Sequence, residues 1–166
     1  MNTINLVSSG IWEGSIFYDS IDRFDIGEKI DSLAVISKRT SSNIILNGED
    51  VSMNQLGYNI VTISEDNGEL IESINFNTYA DEAASSRMVD FLKSQKKKTI
   101  IMGSVRWDGA KYLSDDAIEI FEELGLKKSL KDKINYCHGF ITYKGIKDNG
   151  IEFINHDKVE ILFLNR

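Results

Sequence analysis

Residues 57–125 constrain the fold more than any other part of this 166-residue chain. Two β-prone runs, Tyr58 to Ile63 and Glu69 to Phe76, flank Asn67-Gly68, a pair that tolerates the positive φ of a tight turn. In the second run the alternation places Leu70, Ile74 and Phe76 on one face, with Glu69, Ser73 and Asn75 opposite. Glu72 then falls on the apolar side, which predicts an exposed strand edge or a bulge. Ala84, Met88, Phe91 and Leu92 next form a single helical stripe. Asn77 and Thr78 are the expected caps of that helix. Asp81 and Glu82 suit its positive end, and Lys96 to Lys98 come just after it. The apolar run Thr99 to Gly103 reads as a strand buried on both faces. Ser114 is expected to cap a second helix, with Asp115 and Asp116 in its first turn and Ala117, Ile120, Phe121 and Leu124 as its stripe. Gly125 stands where a left-handed residue ends such a helix.

The flanking sequence adds strands. Lys29 to Ser37 and Ser42 to Leu46 are strand candidates, followed by the turn pair Asn47-Gly48 and by Glu49 to Val51. Ile134 to Tyr143 and Ile151 to Leu164 supply two or three more, and Val159 to Leu164 is apolar enough for a central position. The chain has no proline, so turns fall to glycine, asparagine and aspartate, as at Asp108-Gly109 and Asn149-Gly150. The predicted fold class is α+β: one mostly antiparallel domain over residues 28–166, with two main helices on one side of a sheet. Residues 1–27 differ. Ile11, Trp12, Ile16, Phe17, Tyr18, Ile21, Phe24 and Ile26 alternate with acids in no steady period. This segment reads as an extra strand or two or as an extended arm. Trp12, Phe17, Tyr18 and Phe24 would pack on the chain's own domain or on a neighbour.

Charge and chemistry narrow the function. A net charge of −7 repels phosphate backbones, so a nucleic-acid partner is not expected, and Lys96 to Lys98 read as a solvated turn. One cysteine, Cys137, excludes an internal disulfide and suits a reducing compartment or a particle assembled in one. It reads as a small, partly buried apolar residue. His138 and His156 lack the spacing of a metal pair, and Cys137 and His138, as neighbours on a strand, point to opposite faces. No basic segment followed by an apolar run opens the sequence, and no stretch is long and apolar enough to span a bilayer. The chain is expected to be cytoplasmic at synthesis and not inserted in a membrane. It carries no phosphate-binding loop, nucleophile elbow or metal-ligand cluster. Neither catalysis, nor a cofactor, nor a metal is expected.

The order of motifs resembles the interleukin-like EMT inducer (ILEI) domain, also called PANDER-like. The resemblance rests on Gly57-Tyr58-Asn59-Ile60 leading a strand, the turn Asn67-Gly68, and Phe76-Asn77-Thr78-Tyr79. It continues through Phe91-Leu92, Thr99 to Gly103, Asp108-Gly109-Ala110 with Leu113, Leu124-Gly125, and Lys144 to Lys147. It covers roughly residues 30–165. It implies a β-β-α sandwich of two antiparallel sheets with helices along one side. Such domains occur in secreted signalling proteins, in a sugar-binding stem domain of a glycosyltransferase, on cell-surface proteins and in phage structural proteins. The single cysteine departs from the paired cysteines of the secreted members. The segment Asn135 to Phe140 lacks the arginine and aspartate that the sugar-binding members place there.

The resemblance and the composition together predict a non-enzymatic structural or interaction protein. The expected setting is a tailed-phage virion, in a tail, fibre, collar or decoration position. Its partners would be other virion or assembly proteins, with homo-oligomerisation left open. The alternative is a carbohydrate-binding module for surface glycans. For that reading Arg106, Trp107 and Asp108 offer a cation, a flat aromatic and a carboxylate in one turn. The competing reading of the same turn is a polar connection in which Trp107 covers the core.

Overall fold

A computed structural model describes residues 3–5, 29–146 and 150–164. Its elements are β1 (Thr3–Asn5), β2 (Ser32–Lys38), β3 (Ser42–Leu46), β4 (Glu49–Asp50), β5 (Gly57–Ile63), β6 (Leu70–Phe76), α1 (Ala84–Ser94), β7 (Ile100–Arg106), α2 (Asp115–Glu123), β8 (Cys137–Tyr143), β9 (Ile151–Asn155) and β10 (Lys158–Leu164). They form two five-stranded antiparallel sheets. The outer sheet has the order β1-β10-β2-β3-β4 and the middle sheet β6-β5-β7-β8-β9.

The layering follows from burial. β2, β3 and β10 alternate between buried and half-buried residues, so the outer sheet turns one face inward. β5 and β8 are buried at every position and β7 at all but Arg106, because the middle sheet is covered on both sides. Leu33, Val35, Ile44, Ile161 and Phe163 meet Val61, Ile63, Ile100, Met102 and Ile141 between the sheets. On the opposite face Tyr58, Ile60, Ile101, Val105 and Phe140 meet Met88 and Leu92 of α1 and Ile120 and Phe121 of α2. The α+β sandwich expected from the sequence is the fold observed, in the layer order sheet, sheet, helices.

Local expectations were met where the cause is local. Ser114 Oγ accepts a hydrogen bond from the Ala117 amide at 3.2 Å, and Gly125 takes φ +82° just past α2. Asn47 and Gly48 both have positive φ, as a type I′ turn requires. β7 is the central strand of the middle sheet. β6 lies at the sheet edge, and the register shifts between Thr62, opposite Glu72, and Ile63, opposite Leu70. Edge and bulge thus both occur where Glu72 pointed.

Three expectations need correction. Leu70 does not share the buried face of Ile74 and Phe76; the bulge at Ile71 breaks the alternation, and Leu70 is exposed. α1 begins after Ala83 with no side-chain cap. Thr78 Oγ1 instead donates to the Gly109 carbonyl at 2.9 Å, and Asn77 Oδ1 closes a local turn by accepting from the Ala80 amide. Asp108-Gly109 is not the positive-φ pair; Trp107 takes that role at φ +70°. β1 pairs with β10, so Thr3 to Asn5 form an added strand on the chain's own domain. Trp12, Phe17, Tyr18 and Phe24 lie outside the described residues.

Candidate functional site

Serine hydroxyls on the inner faces bring the two sheets together at one end. Ser37 Oγ donates to the Val105 carbonyl at 2.5 Å, and Ser104 Oγ donates to the Ile36 carbonyl at 2.7 Å. These bonds fix the end of β2 against the end of β7. Just past the ends of these two strands, the guanidinium of Arg39 lies 5.3 Å from the centre of the Trp107 ring. A cation over an indole face is attracted by the ring's electron density. Trp107 itself is exposed, 39% accessible.

The backbone holds the indole out. The Asp108 amide donates to the Arg106 carbonyl at 3.0 Å, closing a three-residue turn around Trp107 at φ +70°. A bulky residue in that region stores strain of about 1–3 kcal/mol unless its surroundings fix it. They do so here. Arg106 Nη1 donates to the Asn54 carbonyl at 2.6 Å, and Asp108 Oδ1 accepts from the Ala110 amide at 2.7 Å. Gly57 pairs with Arg106 across the ladder, so Leu56 and Trp107 leave the sheet side by side. Leu56 and Met53 are exposed there as well. Gly57 itself has φ +85°, and a Cβ on it would sit 2.5 Å from the Phe76 carbonyl oxygen, so the end of β5 admits no side chain.

The sequence trio therefore divides. Trp107 is presented, Arg106 is half-buried and engaged with the backbone, and Asp108 is buried, with Oδ2 lacking a hydrogen-bond partner. Arg39 takes the place of the neighbouring cation. No local signal marks Arg39 in the sequence, because its role depends on contacts between strands far apart in the chain.

A second polar group, invisible to sequence reasoning, lies under this end. Tyr58 Oη and His138 Nδ1 are 2.8 Å apart, and His138 Nε2 and a Glu152 carboxylate oxygen are 2.9 Å apart. The other carboxylate oxygen accepts from the Lys128 amide at 2.5 Å. A carboxylate only accepts, so the tautomer protonated at Nε2 satisfies the chain, with the Tyr58 hydroxyl donating to Nδ1. Burial, then the nearby charges of Glu152 and Asp108, push the Tyr58 phenol well above its ordinary pKa of 10.0. Tyr58 and His138 are fully buried, and Phe121 and Phe140 pack against the imidazole. Cys137 and His138 do face opposite sides of the sheet: Cys137 lines the layer between the sheets, where burial raises the pKa of its thiol. Among the described residues no group of three or more His, Cys, Asp or Glu could hold a metal ion, and no helix is long and apolar enough to cross a membrane.

The sequence profile of the interleukin-like EMT inducer family matches residues 56–146. This chain belongs to that family. The ILEI match contains Trp107 and the buried Tyr58–His138 pair, whereas Arg39 lies outside it. The chain is 29% identical over 85 residues to the cell migration-inducing and hyaluronan-binding protein of Mus musculus, covering 51% of this chain and 6% of that one. Against the protein of the same name from Homo sapiens it is 28% identical over 96 residues, covering 58% and 7%. It thus corresponds to a small part of the length of either relative.

Proposed function

We propose that the chain is a non-enzymatic recognition protein whose ILEI domain binds carbohydrate through the Trp107–Arg39 face. The observation that carries the reading is the exposed indole held at φ +70° with a guanidinium over one face. A flat apolar ring beside a fork of N–H donors suits the apolar face and hydroxyls of a sugar. The hyaluronan in the name of the mouse and human relatives is a glycan and supports this ligand class. The buried position of Tyr58, His138 and Glu152 supports a structural role for the titratable groups over a catalytic one. The test is a glycan array probed with the full chain and with Trp107→Ala. Binding lost on the substitution supports the reading; no binding to any glycan sinks it.

The proposed setting is a virion of a tailed phage, in a tail, fibre, collar or decoration position, where such a domain would read host-surface glycans. The observation favouring it is the aromatic-rich run Trp12, Phe17, Tyr18 and Phe24, which suits docking on an assembly partner. Deleting residues 6–27 should abolish incorporation into particles, and unchanged incorporation rejects the docking role.

A further inference from the structure

The middle sheet ends in an open edge. Among the described residues β6 pairs with β5 alone. The strand therefore presents a row of unpaired N–H and C=O groups on its outer side. It contains neither proline nor lysine, two residues that commonly blunt such an edge. Its first two residues, Leu70 and Ile71, are 43% and 55% exposed. We propose that this edge is a self-association surface, on which β6 of a second copy of the chain pairs antiparallel about a two-fold axis.

The strand itself selects the register. The bulge at Ile71 disrupts its first turns of pleat, and the rest, residues 72–76, pairs regularly with β5. A two-fold through Ile74 sets residues 72–76 of one copy against 76–72 of the other. Opposed residues then point to the same face, so the two middle sheets become one continuous sheet with all helices on one side. Ile74, which is half-buried, meets its own counterpart as an apolar cross-strand pair. The two Glu72 positions stay roughly 13 Å apart, four residues of strand rise, so like charges do not meet. Leu70 and Ile71 run on against the turn that follows β6 in the second copy.

α1 points to a second copy as the occupant. The helix covers this edge of the sheet: Met88 and Leu92 share a core with Tyr58 and Ile60 of β5, and the Phe91 ring lies 5.5 Å from that of Phe76 in β6. Neighbouring strands are about 4.8 Å apart, so joining β6 to its copy sets the two α1 helices roughly 10 Å apart, the ordinary spacing of packed helices. α1 leaves the end of β6 and leads back to the start of β7, so it runs antiparallel to β6. The two-fold therefore places the start of each α1 beside the end of the other.

The charges match that arrangement. Asp81 and Glu82 precede α1, and Lys96 follows it. Asp81 is engaged by Arg87, but neither Glu82 nor Lys96 has an ion-pair partner among the described residues. Across the two-fold an acid at the start of one helix meets a cation at the end of the other, twice, with opposite helix dipole ends alongside. An unrelated extended peptide would use the strand edge but would leave the half-buried Phe91 and these charges unmatched. The two Trp107 faces lie at opposite ends of such a dimer and stay free.

The test is analytical ultracentrifugation of the full chain over a range of concentrations, with thermal melting of every variant as the control on folding. The wild type should dimerise. Ile71→Lys should raise the dimer dissociation constant by about tenfold or more, through the loss of apolar contact and the desolvation of an ammonium group. Glu82→Lys and Lys96→Glu should each weaken the dimer by about threefold or more, and the two together should restore it, because the pair is then reversed rather than removed. Hydrogen exchange at β6 amides should slow as the dimer forms, and Trp107→Ala should leave dimerisation unchanged. The proposal is overturned if the chain stays monomeric at millimolar concentration, whether β6 is open or protected by another segment of the same chain. It is equally overturned if folded Ile71→Lys dimerises as well as the wild type, or if the charge-reversed pair dimerises no better than the single variants.

Discussion

The two faces of the middle sheet are packed by different chemistry. Toward the outer sheet the strands present Val61, Ile63, Ile100, Met102 and Ile141, a mainly aliphatic layer with serine hydroxyls bonded to backbone carbonyls at one end. Toward the helices the same strands present Tyr58, His138 and Phe140, stacked with Phe121 around a buried hydrogen-bonded chain. An aliphatic layer gains stability from area and shape and tolerates small changes gradually. A buried polar chain stabilises only while every member keeps its partner. The helix side should therefore be the brittle one. Its titratable groups are sealed, so the proposed recognition falls to the exposed indole beyond the end of β7.

The sharpest way to break that comparison is His138→Ala. It strands the Glu152 carboxylate and the Tyr58 hydroxyl in the core, and each buried polar group left without its partner costs about 1–3 kcal/mol. Ile161→Val, in the aliphatic layer, should cost only about 0.5–1.5 kcal/mol. Urea denaturation of the two variants checks the pair; equal losses would show that the faces do not differ in brittleness. Gly103→Ala comes next. A Cβ there would lie 2.2 Å from Phe140 Cζ, an overpacking that costs about 1–3 kcal/mol. Adding Phe140→Leu should restore part of the loss, and purely additive losses would show that the ring is not what excludes the methyl group.

Tyr58→Phe should cost about 1 kcal/mol at neutral pH through the lost hydrogen bond, and it should also change the alkaline limb. The buried phenol keeps its proton above pH 10.0, where the unfolded phenol loses its own. The folded state then binds more protons. This contribution to stability is intact below about pH 10 and is lost as pH rises from there through the folded pKa. The variant should lose the Tyr58 part of that decline. An unchanged slope between wild type and variant above pH 10 would mean that this phenol does not carry it.

What was legible in the sequence was what neighbouring residues decide. Ser114 and its two following aspartates fixed the start of α2, Thr99 to Gly103 announced a strand covered on both sides, and Glu72 marked the edge and bulge of β6. The start of α1 was not legible, because the Thr78 hydroxyl is drawn away by the Gly109 carbonyl, 31 positions along the chain. The candidate site was half legible. Trp107 stood out as an aromatic in a polar turn, but the cation over it comes from Arg39, placed there by bonds between serines and carbonyls 68 positions apart. The Tyr58–His138–Glu152 chain was hidden for the same reason. Only the pairing of β8 with β5, through β7, and with β9 assembles it.

The smallest expected effect on stability separates folding from recognition most cleanly. Trp107 is exposed and sits at φ +70°, a conformation that glycine adopts without a Cβ penalty. Trp107→Gly should relieve strain and lose the contact with Arg39, two terms of opposite sign and each about 1 kcal/mol. Their near cancellation predicts a melting temperature within a few degrees of wild type, by about the shift that 1 kcal/mol gives a domain of this size. Glycan binding at this face should nevertheless be lost. Thermal melting paired with the glycan array checks both halves. A variant that unfolds several kcal/mol more easily would make Trp107 a core cover, the competing reading of the turn. A variant that melts normally and still binds would move recognition away from the indole. Strain kept at an exposed aromatic without benefit to the fold is what a recognition residue requires, and this substitution measures it directly.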